Sequence, residues 1–270
     1  IEFERLMNDA EQAKQKYGAK IVVGGPGSWQ LLRPEAKDLF KADVIFIGEG
    51  DVTGPEVFWK LVEDRDLPSK VIEGKQADIG DISPIIKPSI YGAVEISRGC
   101  GRGCAFCSPT MQRKRFIPVE TIVREVELNV SYGLKGVLLV TEDIFMYECN
   151  KSDFTPNRKA VEALFKALTP IKGLDSIQVT HVNLAAISAD KALARHVAER
   201  LKEKSKYSLQ GKQVATVEVG IETGSPKLFE KYMNGKCKPF KPYEWPNIVL
   251  SSLSFMENCD WVALATILIG

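Results

Sequence analysis

The 270-residue chain is 44% hydrophobic and 26% charged, with a net charge of +1. These proportions describe a globular protein rather than a disordered one, and the near-neutral charge gives no global reason to expect nucleic acid or an acidic membrane as a partner. No apolar run reaches the roughly 18 residues of a membrane span, and no signal peptide opens the chain.

In chain order, short apolar runs alternate with amphipathic stretches. The chain opens at Ile1 inside a helical pattern and stops at "VALATILIG" in mid-strand, so parts of the parent protein are expected beyond both ends. Strands are predicted at "KIVVGG" (20–25) and "DVIFIGEG" (43–50), with a loop and a helix between them. Residues 1–75 thus read as a small βα unit with two clear strands. "GKQADIGDISPIIKPSIYG" carries Pro84 and Pro88 without periodicity, and 76–90 reads as a linker. Over 91–270, strands are predicted near 92, 137, 178, 215 and 262, as "YGAVEIS", "GVLLVTED", "SIQVTHVNLA", "QVATVEVGIETG" and "DWVALATILIG". Near-continuous apolar strands of this kind suit a parallel sheet covered on both faces. Helical patterns fill 118–133, 158–173 and 190–204. The α/β alternation predicts right-handed βαβ units, as in a parallel barrel with its end cut off.

Six cysteines are too few for a disulfide scaffold, and three are bunched in "SRGCGRGCAFCSP" (97–109) as Cys100, Cys104 and Cys107. Bunched cysteines in a large α/β chain read as metal ligands in a reducing compartment, which points to the cytoplasm. Structural zinc wants four ligands, usually as two separated pairs, and the nearest histidine, His181, lies far along the chain. C-x3-C-x2-C instead matches a cubane iron–sulfur cluster held by three thiolates with one iron open. Gly99, Gly101 and Gly103 allow the backbone to wrap tightly and aim N–H groups at the sulfides.

The cysteine spacing, Phe106 before the last cysteine and the preceding strand "YGAVEIS" resemble the radical S-adenosylmethionine superfamily over residues 91–270. The resemblance implies a [4Fe-4S] cluster on Cys100, Cys104 and Cys107, with S-adenosylmethionine chelating the open iron. It further implies reductive cleavage to a 5′-deoxyadenosyl radical that abstracts hydrogen from a substrate. Phe106 would lie at the cofactor. The end of the second barrel strand, "VTEDIF", nominates Thr141, Glu142 and Asp143 for the cosubstrate; the lesser alternative is that Glu142 and Asp143 cap the next helix. "VEVGIETGS" resembles the fourth-strand segment that reaches the ribose and carboxylate, nominating Glu218, Glu222, Thr223 and Ser225. An electron donor such as flavodoxin or ferredoxin is the implied partner.

Arg98, Arg102, Arg113, Lys114 and Arg115 put five cations and no acid between 97 and 115. One could bind an acidic substrate or the cosubstrate carboxylate, and a solvated loop face accounts for most of them. His181 is predicted to point inward from the third strand, as a proton donor or as a satisfied core histidine. His196 lies on a charged helix face. Cys149, Cys237 and Cys259 lack paired spacing, and Cys149, just after the second strand, is the candidate single reactive thiol.

"IVVGGPGSWQLLRPEAKDLFKADVIFIGEGD" resembles the C-terminal half of the cobalamin-binding Rossmann-like domain that precedes many radical S-adenosylmethionine barrels. There the paired glycines, here Gly24 and Gly25, lie beside the nucleotide tail. The Asp-x-His-x-x-Gly motif that supplies histidine to cobalt is absent. A domain that binds nothing is the alternative. Methylthiotransferases that modify transfer RNA carry three further cluster cysteines in their leading domain, and residues 1–90 contain none. The favoured function is cobalamin-dependent methyl transfer to an unactivated carbon of a peptide or small molecule. The alternatives are radical rearrangement, cyclisation or oxidation without methyl transfer, and, from another class, an iron–sulfur electron carrier or zinc-binding module. An electron carrier would usually supply four cysteine ligands.

Overall fold

The computed structural model describes residues 2–36 and 42–269. It divides into two compact units, residues 1–83 and 84–270.

The first unit starts with α1 (Glu2–Tyr17), followed by β1 (Val22–Val23), β2 (Val44–Gly48), α2 (Gly50–Val62) and β3 (Val71–Gly74). The three strands are parallel in the order β1-β2-β3. Only two strands are predicted here from the apolar runs. The third, "VIEG", is four residues long with a charge inside it, too short for its pattern to stand out. Val44, Phe46, Val57 and Ile72 form the core between sheet and α2. The helix expected after Gly25 is instead a pair of 3-10 turns, Ser28–Leu32 and Pro34–Ala36, and the rest of that expectation lies outside the described residues.

The second unit holds β4 (Ala93–Glu95), β5 (Ser97–Arg98), β6 (Arg115–Phe116), α3 (Val119–Ser131), β7 (Gly136–Val140), α4 (Arg158–Leu168), β8 (Ser176–Val179), α5 (Leu184–Ala189) and α6 (Lys191–Glu203). It continues with β9 (Tyr207–Leu209), β10 (Lys212–Glu222), α7 (Pro226–Met233), α8 (Trp245–Glu257) and β11 (Trp261–Ile267). β4, β7 and β8 pair in parallel, as do β10 and β11. A parallel bridge between His181 and Glu218 joins the two groups, with Glu218 N–H donating to the Thr180 carbonyl and Val182 N–H to the Glu218 carbonyl (both 3.1 Å). Five parallel strands therefore form one arc in the order β4-β7-β8-β10-β11, the α/β architecture of a partial parallel barrel.

Side-chain alternation explains how the arc is covered. Val137, Leu139, Ile177, Val179, Val217 and Val219 are buried, as are Ile122 and Val126 of α3, Leu164 and Phe165 of α4, Leu193 and Val197 of α6 and Met256 of α8. Each such side chain contributes about 1.5–3 kcal/mol on leaving water. The alternate residues Gln178, Thr216 and Glu218 face the other, open side. The predicted third strand ends six residues early. Asn183 accepts a hydrogen bond from Ala185 N–H (2.8 Å) and caps α5, so "NLA" belongs to a helix. No helix among the described residues is long and apolar enough to cross a membrane.

Candidate active site

The cysteine loop is closed at its base by the antiparallel pair β5–β6, with Ser97 opposite Phe116 and Arg98 opposite Arg115. Gly99 opens the loop at φ +77°, and a Cβ there would stand 2.6 Å from the carbonyl oxygens of Gln112 and Arg113. Only glycine meets both demands. The loop then folds on itself. Cys100 N–H donates to the Pro109 carbonyl and Cys107 N–H to that of Cys104 (both 3.1 Å), while Gly103 N–H donates to the Thr110 hydroxyl. Ala105 N–H reaches the Tyr232 carbonyl (2.8 Å), which ties the loop to α7.

Arg102 is the loop's anchor. Its side chain is buried, donating to an Asp143 carboxylate oxygen (3.1 Å) and to the carbonyls of Gly235, Lys236 and Lys238 (3.3–3.4 Å). Its guanidinium lies 4.3 Å from the Phe154 ring centroid, and the ring face stands in for the partner its buried Nε lacks. The solvated-face expectation fails here and at Arg115, also buried. Arg98 makes a two-pronged pair with Glu95 (both contacts 2.7 Å). These cations hold the loop together.

Asp143 is correspondingly structural. Besides Arg102 it accepts from Phe145 N–H (3.1 Å) and Asn183 N–H (3.2 Å), so it caps the turn after β7. Burial pushes its carboxyl up, opposed by Arg102 and the two amides. The Thr141 hydroxyl is buried against Ser97 (2.7 Å) and the Asp143 carbonyl. Ser225 caps α7, and the Thr223 hydroxyl accepts from Ser225 N–H (3.1 Å). The polar atoms of these four side chains serve local structure.

The remaining nominees stay available. The half-buried Glu142 carboxyl is pushed up by burial and drawn down by His181, and its charge acts on the Cys107 thiol. Glu222, at φ +65° on a bulge of β10, accepts from Lys236 Nζ (2.7 Å). A Cβ on Gly220 would overlap both groups, so that glycine makes room for the pair. Both members act on Cys104 and Cys107. Lys236 carried no signal in "MNGKCK", because its role comes from α7 returning the chain to the cysteine loop. His181 faces an acceptor from each ring nitrogen, the Thr141 carbonyl at Nδ1 (3.2 Å) and Glu218 at Nε2 (3.1 Å). Both side chains are partly exposed on the open side of the arc.

Burial pushes the Cys100 thiol up to about 11 and raises Cys104 and Cys107 too, so a metal must displace protons from them. Among the described residues no three His, Cys, Asp or Glu converge on a single ion. A cubane needs no such convergence, since each thiolate ligates a different iron. Three thiols on one wrapped loop, with Arg102 and Lys236 to offset thiolate charge, fit such a cluster. Cys149 is buried with Met146 and Phe154 in a cluster against which Cys100 packs, and lies 3.4 Å from Lys114 Nζ. Burial raises its thiol, and Lys114 draws it down. In the first unit, Gly25 stands at φ +100° with open space where a Cβ would be, and Gly24 packs on Phe46.

The profile of the Radical SAM superfamily matches residues 94–244, more than half of the chain. The chain belongs to the Radical SAM superfamily. It is accordingly an enzyme, and the superfamily implies a [4Fe-4S] cluster and S-adenosylmethionine. Among curated relatives, ribosomal protein uS12 methylthiotransferase RimO of Akkermansia muciniphila is 28% identical over 221 residues, 73% of this chain and 49% of the relative. RimO of Petrotoga mobilis is 32% identical over 148 residues, 54% of this chain and 31% of the relative. The chain thus spans half or less of the length of these relatives. Among solved structures, the cobalamin-dependent S-adenosylmethionine radical enzyme OxsB with aqua-cobalamin bound aligns at a TM-score of 0.62 with 13% identity, over 97% of this chain and 38% of that one. That likeness concerns the fold.

Proposed function

We propose that the protein binds a [4Fe-4S] cluster through Cys100, Cys104 and Cys107 and uses S-adenosylmethionine for cobalamin-dependent methyl transfer to a carbon of a peptide or small molecule. The observation that carries the first half is the loop itself: three thiols on one wrapped segment, beside an available carboxylate and a buried ion pair. A reduced cluster held by Cys100, Cys104 and Cys107 would supply the electron for cleavage of S-adenosylmethionine. The chain's own part is placement. Glu142 and Glu222 offer acceptors for the cosubstrate's ammonium and hydroxyl groups, and Lys236 offers a cation for its carboxylate. Arg102 and Asp143 fix the loop against the strand ends and keep water from its inner side. All six cysteines are free thiols, which supports a reducing compartment such as the cytoplasm.

Cobalamin is supported by the open ground beside Gly25 and by the fold likeness to OxsB. A second reading, methylthio transfer, is favoured by the curated relatives. Against it, residues 1–90 offer no cysteine for a second cluster, and Cys149, Cys237 and Cys259 lack paired spacing.

Anaerobic reconstitution tests the cluster. About four irons and four sulfides per chain are expected, abolished by Cys100→Ala, Cys104→Ala or Cys107→Ala and retained in Cys149→Ala, Cys237→Ala and Cys259→Ala. Stoichiometric zinc without iron overturns the reading. For cobalamin, the full parent chain should retain the cofactor through desalting and lose it in Gly25→Val. If the parent retains none, methyl transfer from cobalamin falls.

A further inference from the structure

The open side of the arc carries charge that the cluster and its cosubstrate leave unused. Glu95 alternates with buried Val94 and Ile96 along β4, and Glu218 with buried Val217 and Val219 along β10, so both carboxylates turn to the open side. Glu95 is held by Arg98 (2.7 Å) and Glu222 by Lys236 (2.7 Å). Glu218 meets His181 Nε2 through one oxygen (3.1 Å), while His181 Nδ1 faces the Thr141 carbonyl (3.2 Å). Only a ring that donates from both nitrogens satisfies two acceptors, so the pair stands as imidazolium and carboxylate. Glu142, within reach of the His181 charge, is a fourth carboxylate beside these three cations. Each cation named here is thus already bonded to a carboxylate, and the carboxylates are one in excess.

Position separates Glu218 from the other acids. It lies four residues before Glu222 on β10, about 13 Å along an extended strand, and so below the strand-end groups that face the cosubstrate. Its side chain is 55% exposed, and its second oxygen has no partner among the described residues. Beneath it the face is polar but neutral: Gln178 Nε2 donates to the Thr216 hydroxyl (3.2 Å), and the Tyr207 hydroxyl donates to Gln178 (3.4 Å). Leu264, opposite Glu218 on β11 and 55% exposed, supplies an apolar flank. A spare carboxylate oxygen beside an apolar flank suits a cation carried on an alkyl stem. An anionic group would have to break one of the three pairs and leave a carboxylate uncompensated. We propose that Glu218, held by His181, positions the substrate, and that the substrate presents an ammonium or guanidinium group to it. The inference rests on the reading above of the strand ends as the cluster and cosubstrate site.

The test measures binding to the full parent protein, reconstituted anaerobically, with S-adenosylmethionine present and no reductant. Three probes are titrated by equilibrium dialysis: Nα-acetylarginine amide, agmatine as its free counterpart, and Nα-acetylglutamate amide as the anionic control. The parent should hold the cationic probes roughly ten-fold or more tighter than the anion, the factor for a hydrogen bond to a charged group. Glu218→Gln should erase that preference and Glu218→Asp restore part of it, with iron content and S-adenosylmethionine affinity unchanged in both. Damage to the fold would instead weaken all three probes alike. Tighter binding of the arginine probe identifies a peptide-borne group and tighter binding of agmatine a free amine, and either supports the proposal. Equal affinity for both charges in the parent, no binding of either cationic probe, or a preference that survives Glu218→Gln overturns it. Loss of S-adenosylmethionine affinity in Glu218→Gln also overturns it and gives the residue to the cosubstrate. A parent that takes up no iron overturns the cluster reading instead, while the same titration on the unreconstituted protein reports on Glu218 alone.

Discussion

Two ion pairs meet at the strand ends beside the cysteine loop, and they differ in everything but charge. Arg102–Asp143 has side-chain exposures of 3% and 1%, and each partner is held from several other directions. Lys236–Glu222 has exposures of 13% and 10%, a single 2.7 Å contact, and a glutamate in left-handed backbone. A buried pair held from several directions cannot exchange partners without leaving an uncompensated charge. A pair with spare lone pairs and protons at the edge of the site can. The first pair is architecture for the loop; the second is poised to trade its contact for a zwitterionic ligand that brings both charges.

The largest expected effect breaks the first pair. Asp143→Ala leaves the Arg102 guanidinium buried and unpaired, and should destabilise the protein by about 3–5 kcal/mol. Urea denaturation of the cluster-free protein reads this directly. A midpoint equal to that of the parent would refute the structural role and return Asp143 to the ligand-binding candidates.

Breaking the second pair should act on binding instead. Glu222→Gln keeps the shape and removes the charge, so S-adenosylmethionine affinity should fall by about 1–3 kcal/mol, the loss for a hydrogen bond to a charged group. Stability should move by less than in Asp143→Ala, because the glutamine keeps an acceptor for Lys236. An anaerobic equilibrium titration, with denaturation run in parallel, separates the two. Loss of stability without loss of affinity would make the pairs alike after all.

The neighbours Glu142 and Asp143 also show what was legible in sequence. The cysteine loop, the five strands near their predicted places and the polar strand ends were readable, because thiolate spacing and apolar runs are local signals. Which of two adjacent carboxylates caps a turn was not, since that choice depends on Arg102 arriving from 41 residues away in the chain. Lys236 depends likewise on α7 folding back, and Gly220 on the Glu222 side chain lying over it. The buried cations escaped reading for the same reason: a cluster of arginines in sequence looks solvated until its acceptors are known.

A smaller effect sharpens the contrast between those carboxylates through pH. Burial holds the Glu142 carboxyl above the ordinary range, with His181 opposing. The ionised form attracts an ammonium, so its contribution is fully present above the raised value and is lost as pH falls through it. Cosubstrate affinity should therefore decline toward acid sooner than for an ordinary carboxylate, by roughly ten-fold in all. Glu142→Gln should flatten that limb while leaving affinity at the acid end unchanged. A limb that persists in Glu142→Gln assigns the titration to another group.

The smallest effect belongs to the loop that both regions serve. Gly101 stands at φ +73° with nothing within 4 Å of where a Cβ would be. It differs from Gly99, which has the same handedness and also faces two carbonyls at 2.6 Å. At Gly101 only the backbone conformation resists a side chain, and left-handed geometry costs an L-residue about 1 kcal/mol. Gly101→Ala should thus lower stability by about that amount and leave iron content unchanged, because no neighbour has to move. Denaturation and iron analysis on one preparation check both halves. If Gly101→Ala loses its iron at near-parental stability, the glycine is needed for the direction of its N–H rather than for its φ, and the outward face of the loop takes part in holding the cluster.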